Sequence, residues 1–343
     1  TDGVSVSLVA FPDSAAVLAV AFIAGYFVAV RKDTQKFYWS AVLDGSSWDG
    51  LDFAPAESSP DNLLDAWVVG DELWLLGANS TEVWVPSGDQ DAPFIRVEGR
   101  LYDKGIRGSR IAANVDNTLF WTGNDGIVYR GGAQPERVSQ HSIEEALEGA
   151  TSVKAWGFTW QGHSFFLLIT DNGSFGFDAA TREWCEFSSY GRSAFRVHVG
   201  CENDTAIIMG DDELGRLWTF SDSAYLDGSE VIQRIFTAAL PANAPVSVDN
   251  LVIDSSVGQT IYLTGQGADP VVEMRHSRDA GNSWSNWRET SIGQQGEYRK
   301  RVVWRRNGVA DAPGMLFEFR ITDPAPWRVS GVRVNEPLGG RSR

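Results

Sequence analysis

Apolar residues come in short bursts along this chain, and the bursts recur. Aligning them places GYFVAV at Gly25, GDELWLLG at Gly70, DNTLFWTG at Asp116, GHSFFLLI at Gly162 and NDTAIIMG at Asn203, at intervals of 45, 46, 46 and 41 residues. Each burst opens on a polar or glycine turn, and a second turn leads into another apolar strand: QKFYWSA, STEVWVP, DGIVYRG, NGSFGFD and LGRLWTF. Two strands per half-unit predict four-stranded sheets. A period of about 40–45 residues with four short strands is the signature of propeller blades, which pack radially and leave only short, protected edges. The expected fold is all-β: a β-propeller of at least five four-stranded blades over residues 1–240, then a second, smaller β-sandwich-like domain over 241–343. An open sandwich of hairpins is the alternative that spacing alone leaves standing.

The pattern changes near Pro241. PANAPVSVD reads as a linker, and strands are expected at Leu251–Asp254, Thr260–Thr264, Val271–His276 and Met315–Ile321. One short helix is expected at Ser142–Gly149, SIEEALEG, with Ser142 as cap, Glu145 reaching back to it and Gly149 ending it. Ala15–Val30 has no charge, but it is shorter than a membrane span and no basic segment precedes it. With Gly25 inside and β-formers around it, the run reads as two buried strands meeting at a turn, with no membrane insertion.

Composition sharpens the β reading. Fourteen Trp and thirty-five Gly suit wide sheet cores and many tight turns. Two cysteines, Cys185 and Cys201, make no disulfide framework. The net charge of −16 is uneven: residues 270–343 carry 13 basic against 8 acidic groups, and residues 1–269 carry 16 against 37. So acidic a body repels phosphates, which argues against sequence-specific DNA binding by it.

Chemistry is sparse. Ser277–Trp284, SRDAGNSW, has the form of an Asp box: Asp279 accepts amides across the turn, Gly281 supplies a positive φ, Ser277 and Ser283 bracket it, and Trp284 packs beneath. Sialidases carry several such boxes on propeller blades, so a sialidase-like glycan-processing or glycan-binding propeller is the alternative function. Its chemistry needs a tyrosine nucleophile with a carboxylate and an arginine cluster, and nothing in the sequence gathers these around Tyr190, Tyr225 or Tyr298. His141, His163, His198 and His276 have no ligand spacing, no phosphate loop occurs, and the acidic turns Ser87–Pro93 and Gly210–Gly215 read as solvated turns rather than Ca²⁺ sites. No catalytic residue, metal or cofactor is assigned. In RKRVVWRR, an extended chain puts Arg299, Arg301, Val303 and Arg305 on one face and Lys300, Val302, Trp304 and Arg306 on the other. Neither face is purely apolar, so the segment reads as an edge or interface strand, with Arg299, Arg301, Arg305 and Arg306 as a candidate docking surface.

Longer stretches carry a resemblance. WDGLDFAPAESSPDNL (Trp48–Leu64), GDELWLLGANSTEVWVPSG (Gly70–Gly88), DAPFIRVEG (Asp91–Gly99), VSQHSIEEAL (Val138–Leu147), RHSRDAGNSWSNWRE (Arg275–Glu289) and GEYRKRVVWRRNG (Gly296–Gly308) resemble the packaged-DNA stabilisation, or tail nozzle, proteins of short-tailed bacteriophages. The resemblance covers most of Phe11–Pro324. It implies a non-enzymatic virion protein of the tail, assembled in the host cytoplasm. Six copies would form a ring below the portal and adaptor, sealing the DNA channel and carrying tail spikes, fibres or a needle. Packaged double-stranded DNA would pass without sequence-specific binding. It also implies a further segment before the part matching Thr1.

Overall fold

Two-residue turns decide the first hairpin. Ala24 and Gly25 have φ of 51° and 86°, a pair of left-handed residues whose twist matches that of the strands they join. Tight pairing of Val17–Ile23 with Tyr26–Arg31 follows. Asp116–Asn117 and Gln161–Gly162 repeat the device in later hairpins. The computed structural model describes residues 7–56, 60–203, 206–211 and 213–337. They fall into two compact units, Thr1–Phe220 and Ser221–Arg343.

The first unit is a series of antiparallel sheets, the blades of a β-propeller. Blade 1 comprises Val17–Ile23, Tyr26–Arg31, Lys36–Ala41 and Asp44–Pro55; blade 2, Leu63–Val69, Glu72–Gly77, Thr81–Pro86 and Phe94–Tyr102. Blade 3 comprises Ala112–Val115, Thr118–Thr122, Val128–Arg130 and Glu136–Arg137; blade 4, Val153–Trp160, His163–Thr170, Gly173–Asp178 and Glu183–Phe187. Blade 5 has three described strands, Val197–Glu202, Ile207–Asp211 and Leu217–Thr219. Asp204 and Thr205 of the fifth repeat lie outside the described residues. The first strands of successive blades are neighbours, and side chains alternate between the blade before and the blade after.

Blade-to-blade packing is aromatic and dry. Phe120 of blade 3 is wholly buried against Phe166 and Phe177 of blade 4, at ring distances of 5.5 and 5.7 Å. Trp156 of blade 4 lies so close to blade 5 that a Cβ on Gly200 would fall 2.4 Å from its ring. A larger residue there would drive the blades apart.

The second unit is a β-sandwich. One sheet runs in the order Arg234–Pro241, Gly314–Ile321, Val271–Ser277, Arg288–Ser291, and the other Val302–Arg305, Asn250–Ser255, Val329–Val334. Their inner faces share one core, in which Met274, Phe317 and Phe319 of the first sheet meet Leu251, Ile253 and Trp304 of the second.

Four expectations need correction. Of the two strands in Ala15–Val30 the second is the better buried: Val28, Ala29 and Val30 are covered, while in the first Ile23 is buried and Leu18, Ala19 and Ala21 pack on the blade 1–2 core, but Val17, Val20 and Phe22 on its other face are exposed. The helix is His141–Glu148 with Gln140 at its N-cap, and Gly149 closes it without a left-handed φ. Its anchoring carboxylate is Glu144, not Glu145; it accepts from Ser139 Oγ at 2.6 Å and pairs with Arg137. Pro241–Asp249 is no linker, since Pro241 ends the sandwich strand Arg234–Pro241 and Val246–Ser247 pairs with Val309–Ala310 in a small two-stranded sheet. Thr260–Thr264 forms no strand; Thr260 Oγ1 turns inward to the Gly267 carbonyl, and Gly265 and Gly267 both take positive φ.

Candidate docking surface

The Asp-box turn joins two adjacent strands of the larger sandwich sheet. Asp279 Oδ1 accepts from Ser283 N at 2.8 Å and from Ser277 Oγ at 2.7 Å, and its Oδ2 accepts from Ser283 Oγ at 2.5 Å. Ser277 Oγ also accepts from Gly281 N at 2.9 Å, and Gly281 sits at φ 95°. The Ser283 hydroxyl and amide, with help from Ser277, hold the Asp279 carboxyl at a pKa of about 2. All three of these hydrogen bonds lie within the turn. The box is a structural clasp, and Trp284 leads from it into the outer face of the sheet.

That face carries a ladder the sequence reading did not single out. Arg275 stacks between Trp284 and Trp287, 4.7 and 4.5 Å from their ring centres, and Arg320 lies 4.0 Å from Trp287. Glu318 pairs with Arg275 at 2.7 Å and Glu273 with Arg320 at 2.5 Å. Alternation in VEMRHS and FEFRI puts these charges on one face; only the pairing of the two strands brings them level.

On the other sheet, Val302–Arg305 is an outer strand. Val302 and Trp304 are buried, and Arg301 and Arg305 point to solvent. The expected mixed inner face does not form: Arg306, at φ 58°, turns the chain away after Arg305. Nor is the edge open to another strand. Arg288 Nη2 donates to the Arg305 carbonyl at 2.6 Å and Thr290 Oγ1 to that of Val303 at 3.5 Å. Lys300 is engaged by Glu297 at 3.2 Å and Asp269 at 3.8 Å. Arg299, Arg301, Arg305 and Arg306 are exposed, and their side chains have no partner among the described residues. The strip therefore offers side-chain charge, not backbone pairing.

Other constellations are turn chemistry. Asp91 N donates to Asp89 Oδ1, while the Leu214 and Glu213 amides and the Trp218 ring N–H donate to Asp211, whose pKa they hold at about 2. Asp212 of that turn lies outside the described residues. None of Tyr190, Tyr225 and Tyr298 donates to a carboxylate among the described residues. His163 bonds Asp178 at 2.7 Å and His198 meets Lys154 at 3.1 Å, separate pairs on the propeller. A cleft of about 580 Å³ runs along the first strands of blades 1 and 2, Val17–Phe22 and Asp65–Val68, to Arg110. Its one buried carboxylate, Asp65, has its pKa raised by burial and spends its oxygens on the amides of Ala66 and Arg110. No described helix is long and apolar enough to cross a membrane.

Comparison with known proteins agrees with this architecture. The family described as Bacteriophage P22 Gp10, beta-propeller, matches residues 1–225, and that described as Bacteriophage P22 Gp10, beta-sandwich, matches residues 233–336. No curated protein matches the chain. Among solved structures, the exo-beta-1,3-galactanase of Phanerochaete chrysosporium, with galactose, aligns over 92% of this chain and 95% of its own, at 10% identity and a TM-score of 0.32. The computationally designed Ika4 protein aligns over 63% and 98%, at 11% identity and a TM-score of 0.25. Likenesses so distant carry no functional weight. The two family matches, in order along nearly the whole described chain, place it: it belongs to the bacteriophage P22 Gp10 family of tail nozzle proteins and is a structural component of a phage virion.

Proposed function

We propose that this chain is one subunit of a hexameric nozzle ring below the portal and adaptor. The ring closes and extends the DNA channel, holds the packaged genome, passes it on ejection and carries tail spikes, fibres or a needle. Assembly takes place in the host cytoplasm. The observation behind this reading is the match of one phage family to both units of the chain. Charge supports it. A wall that holds and then releases a duplex works best without tight phosphate contacts, and residues 1–269 carry 37 acidic against 16 basic groups. The protein acts by shape and contact, without catalysis.

The basic strip is the proposed docking surface for acidic patches of the adaptor. Unpaired arginines steer such encounters and fix register. Reversing two of them, Arg301→Glu with Arg305→Glu, should block incorporation into tails while circular dichroism and melting remain those of the parent chain, because both side chains are exposed. Normal incorporation of the double variant would remove the strip from the interface. Turnover of sialosides by the purified chain would overturn the non-enzymatic reading itself.

A further inference from the structure

The arginine strip continues beyond its own strand. Arg306 turns the chain, and its amide donates to the Asp249 carbonyl at 2.8 Å. Asn307 follows, only 1% exposed, and gathers two guanidinium groups from the Asp box and the larger sheet. Arg288 Nη1 donates to Asn307 Oδ1 at 2.8 Å, and Arg278 Nη2 to the Asn307 carbonyl at 3.4 Å. Asn307 Nδ2 donates to the Trp304 carbonyl at 3.1 Å, which fixes the amide that holds Arg288. Gly308 leaves the room for this arrangement, since a Cβ on it would collide with Arg278 Nη2. The Asp box, the end of the larger sheet and the strip thus converge on one corner of the sandwich.

Charge at this corner is unbalanced. Arg275, Arg320 and Arg333 of the same unit each pair with a carboxylate, whereas Arg278, Arg288, Arg305 and Arg306 pair with none among the described residues. The acids of the adjoining turns are engaged locally: Asp249 accepts from Ser247 Oγ at 2.6 Å, and Asp279 from Ser277 and Ser283. His276 registers the excess. Its pKa is lowered, first by burial and then by Arg278 and Arg288. Guanidinium groups so gathered repel one another, and an incoming anion removes that repulsion.

We propose that this corner is a binding site for a cluster of carboxylates on one acidic protein segment, with Arg278, Arg305 and Arg306 as its contacts and Arg301 at its margin. The inference rests on the docking reading given above and adds to it a contact outside the strip and a form of ligand: a compact acidic segment that spans the corner between two sheets. Guanidinium forks match carboxylates two hydrogen bonds at a time. They match phosphates equally well, but a duplex is long and stiff and meets the field of the whole chain, whose net charge is −16. A short segment held at the corner is screened from charges beyond about 8–10 Å.

Arg278→Glu tests it, because Arg278 is exposed and lies outside the strip. A labelled oligoglutamate peptide is titrated with the full chain at low salt and followed by fluorescence anisotropy, beside a labelled DNA duplex. Arg278→Glu should weaken peptide binding about tenfold or more, the loss of one charge-assisted contact, and Arg301→Glu with Arg305→Glu should weaken it at least as much. Arg216→Glu, at an exposed arginine of the propeller, makes the same change in net charge and should bind like the parent. Circular dichroism and melting check the fold of each variant. Parental affinity in Arg278→Glu beside a loss in the strip variant would overturn the corner and leave the strip as the docking surface. A parent chain that does not bind oligoglutamate, or an equal loss in Arg216→Glu, would overturn the site altogether. Tighter binding of the duplex than of the peptide would assign the corner to nucleic acid and overturn the choice of an acidic protein.

Discussion

Phe120→Ala is the sharpest test of how the blades hold together. Phe120 has no exposed surface, and its ring meets Phe166 and Phe177 of the next blade at 5.5 and 5.7 Å. Removing it forfeits the transfer free energy of a buried ring, about 1.5–3 kcal/mol. Aromatic pairing adds about 0.5–1.5 kcal/mol. The void left between two rigid sheets cannot collapse without moving a blade, so the loss should fall at the upper end of what buried phenylalanines show, about 3–5 kcal/mol. Phe120→Leu keeps most of the volume and should cost less than about 2 kcal/mol. Urea unfolding followed by tryptophan fluorescence and circular dichroism measures both. The transition of the first unit should shift and that of the second stay in place, since Phe120 belongs to a core made by blades 3 and 4 and the helix between them, all within the first unit. A loss below about 1 kcal/mol for the alanine variant, or an equal shift of both units, would refute radial packing as the source of stability.

Two further outcomes test local devices. Asp279, with its folded pKa of about 2 below an ordinary 3.8, stabilises the sandwich fully above about pH 4 and loses that contribution as pH falls through 2; amide shifts of Ser283 should titrate in that window and be flat in Asp279→Asn. Gly105→Ala would place its Cβ 2.3 Å from the Ala78 carbonyl group and should abolish soluble expression, whereas Gly108→Ala, with nothing within 4 Å, should melt like the parent.

What the letters disclosed follows from how local the causes are. The hairpin repeat was legible because turn residues and alternation fix each pair of strands within a dozen residues, as Gly25 and Gly162 do with positive φ. The Asp box was legible for the same reason, with every bond lying between Ser277 and Ser283. The Trp–Arg ladder was not, because Arg275 and Arg320 meet only through pairing of strands some forty residues apart in sequence. The apolar first strand misled in a different way. Alternation tells which residues share a face, but not how deeply that face is buried, and Val20 and Phe22 look in sequence just like Ala66 and Val68. Thr260–Thr264 misled because β-branched residues outvoted the two glycines that follow and let the chain loop back on itself.

The physics of the proposed docking strip gives it a test that needs no variant. The arginine strip presents charge at the surface with its strand edge already capped by Arg288 and Thr290, so whatever docks there is held by screened Coulomb attraction. Raising salt from about 0.1 to 1 M shortens the screening length from about 10 to 3 Å. It should therefore release the adaptor from the chain, as read by co-sedimentation of the two proteins at each salt concentration. Adaptor binding that survives about 1 M salt unchanged would place the contact on apolar surface and not on Arg301 and Arg305.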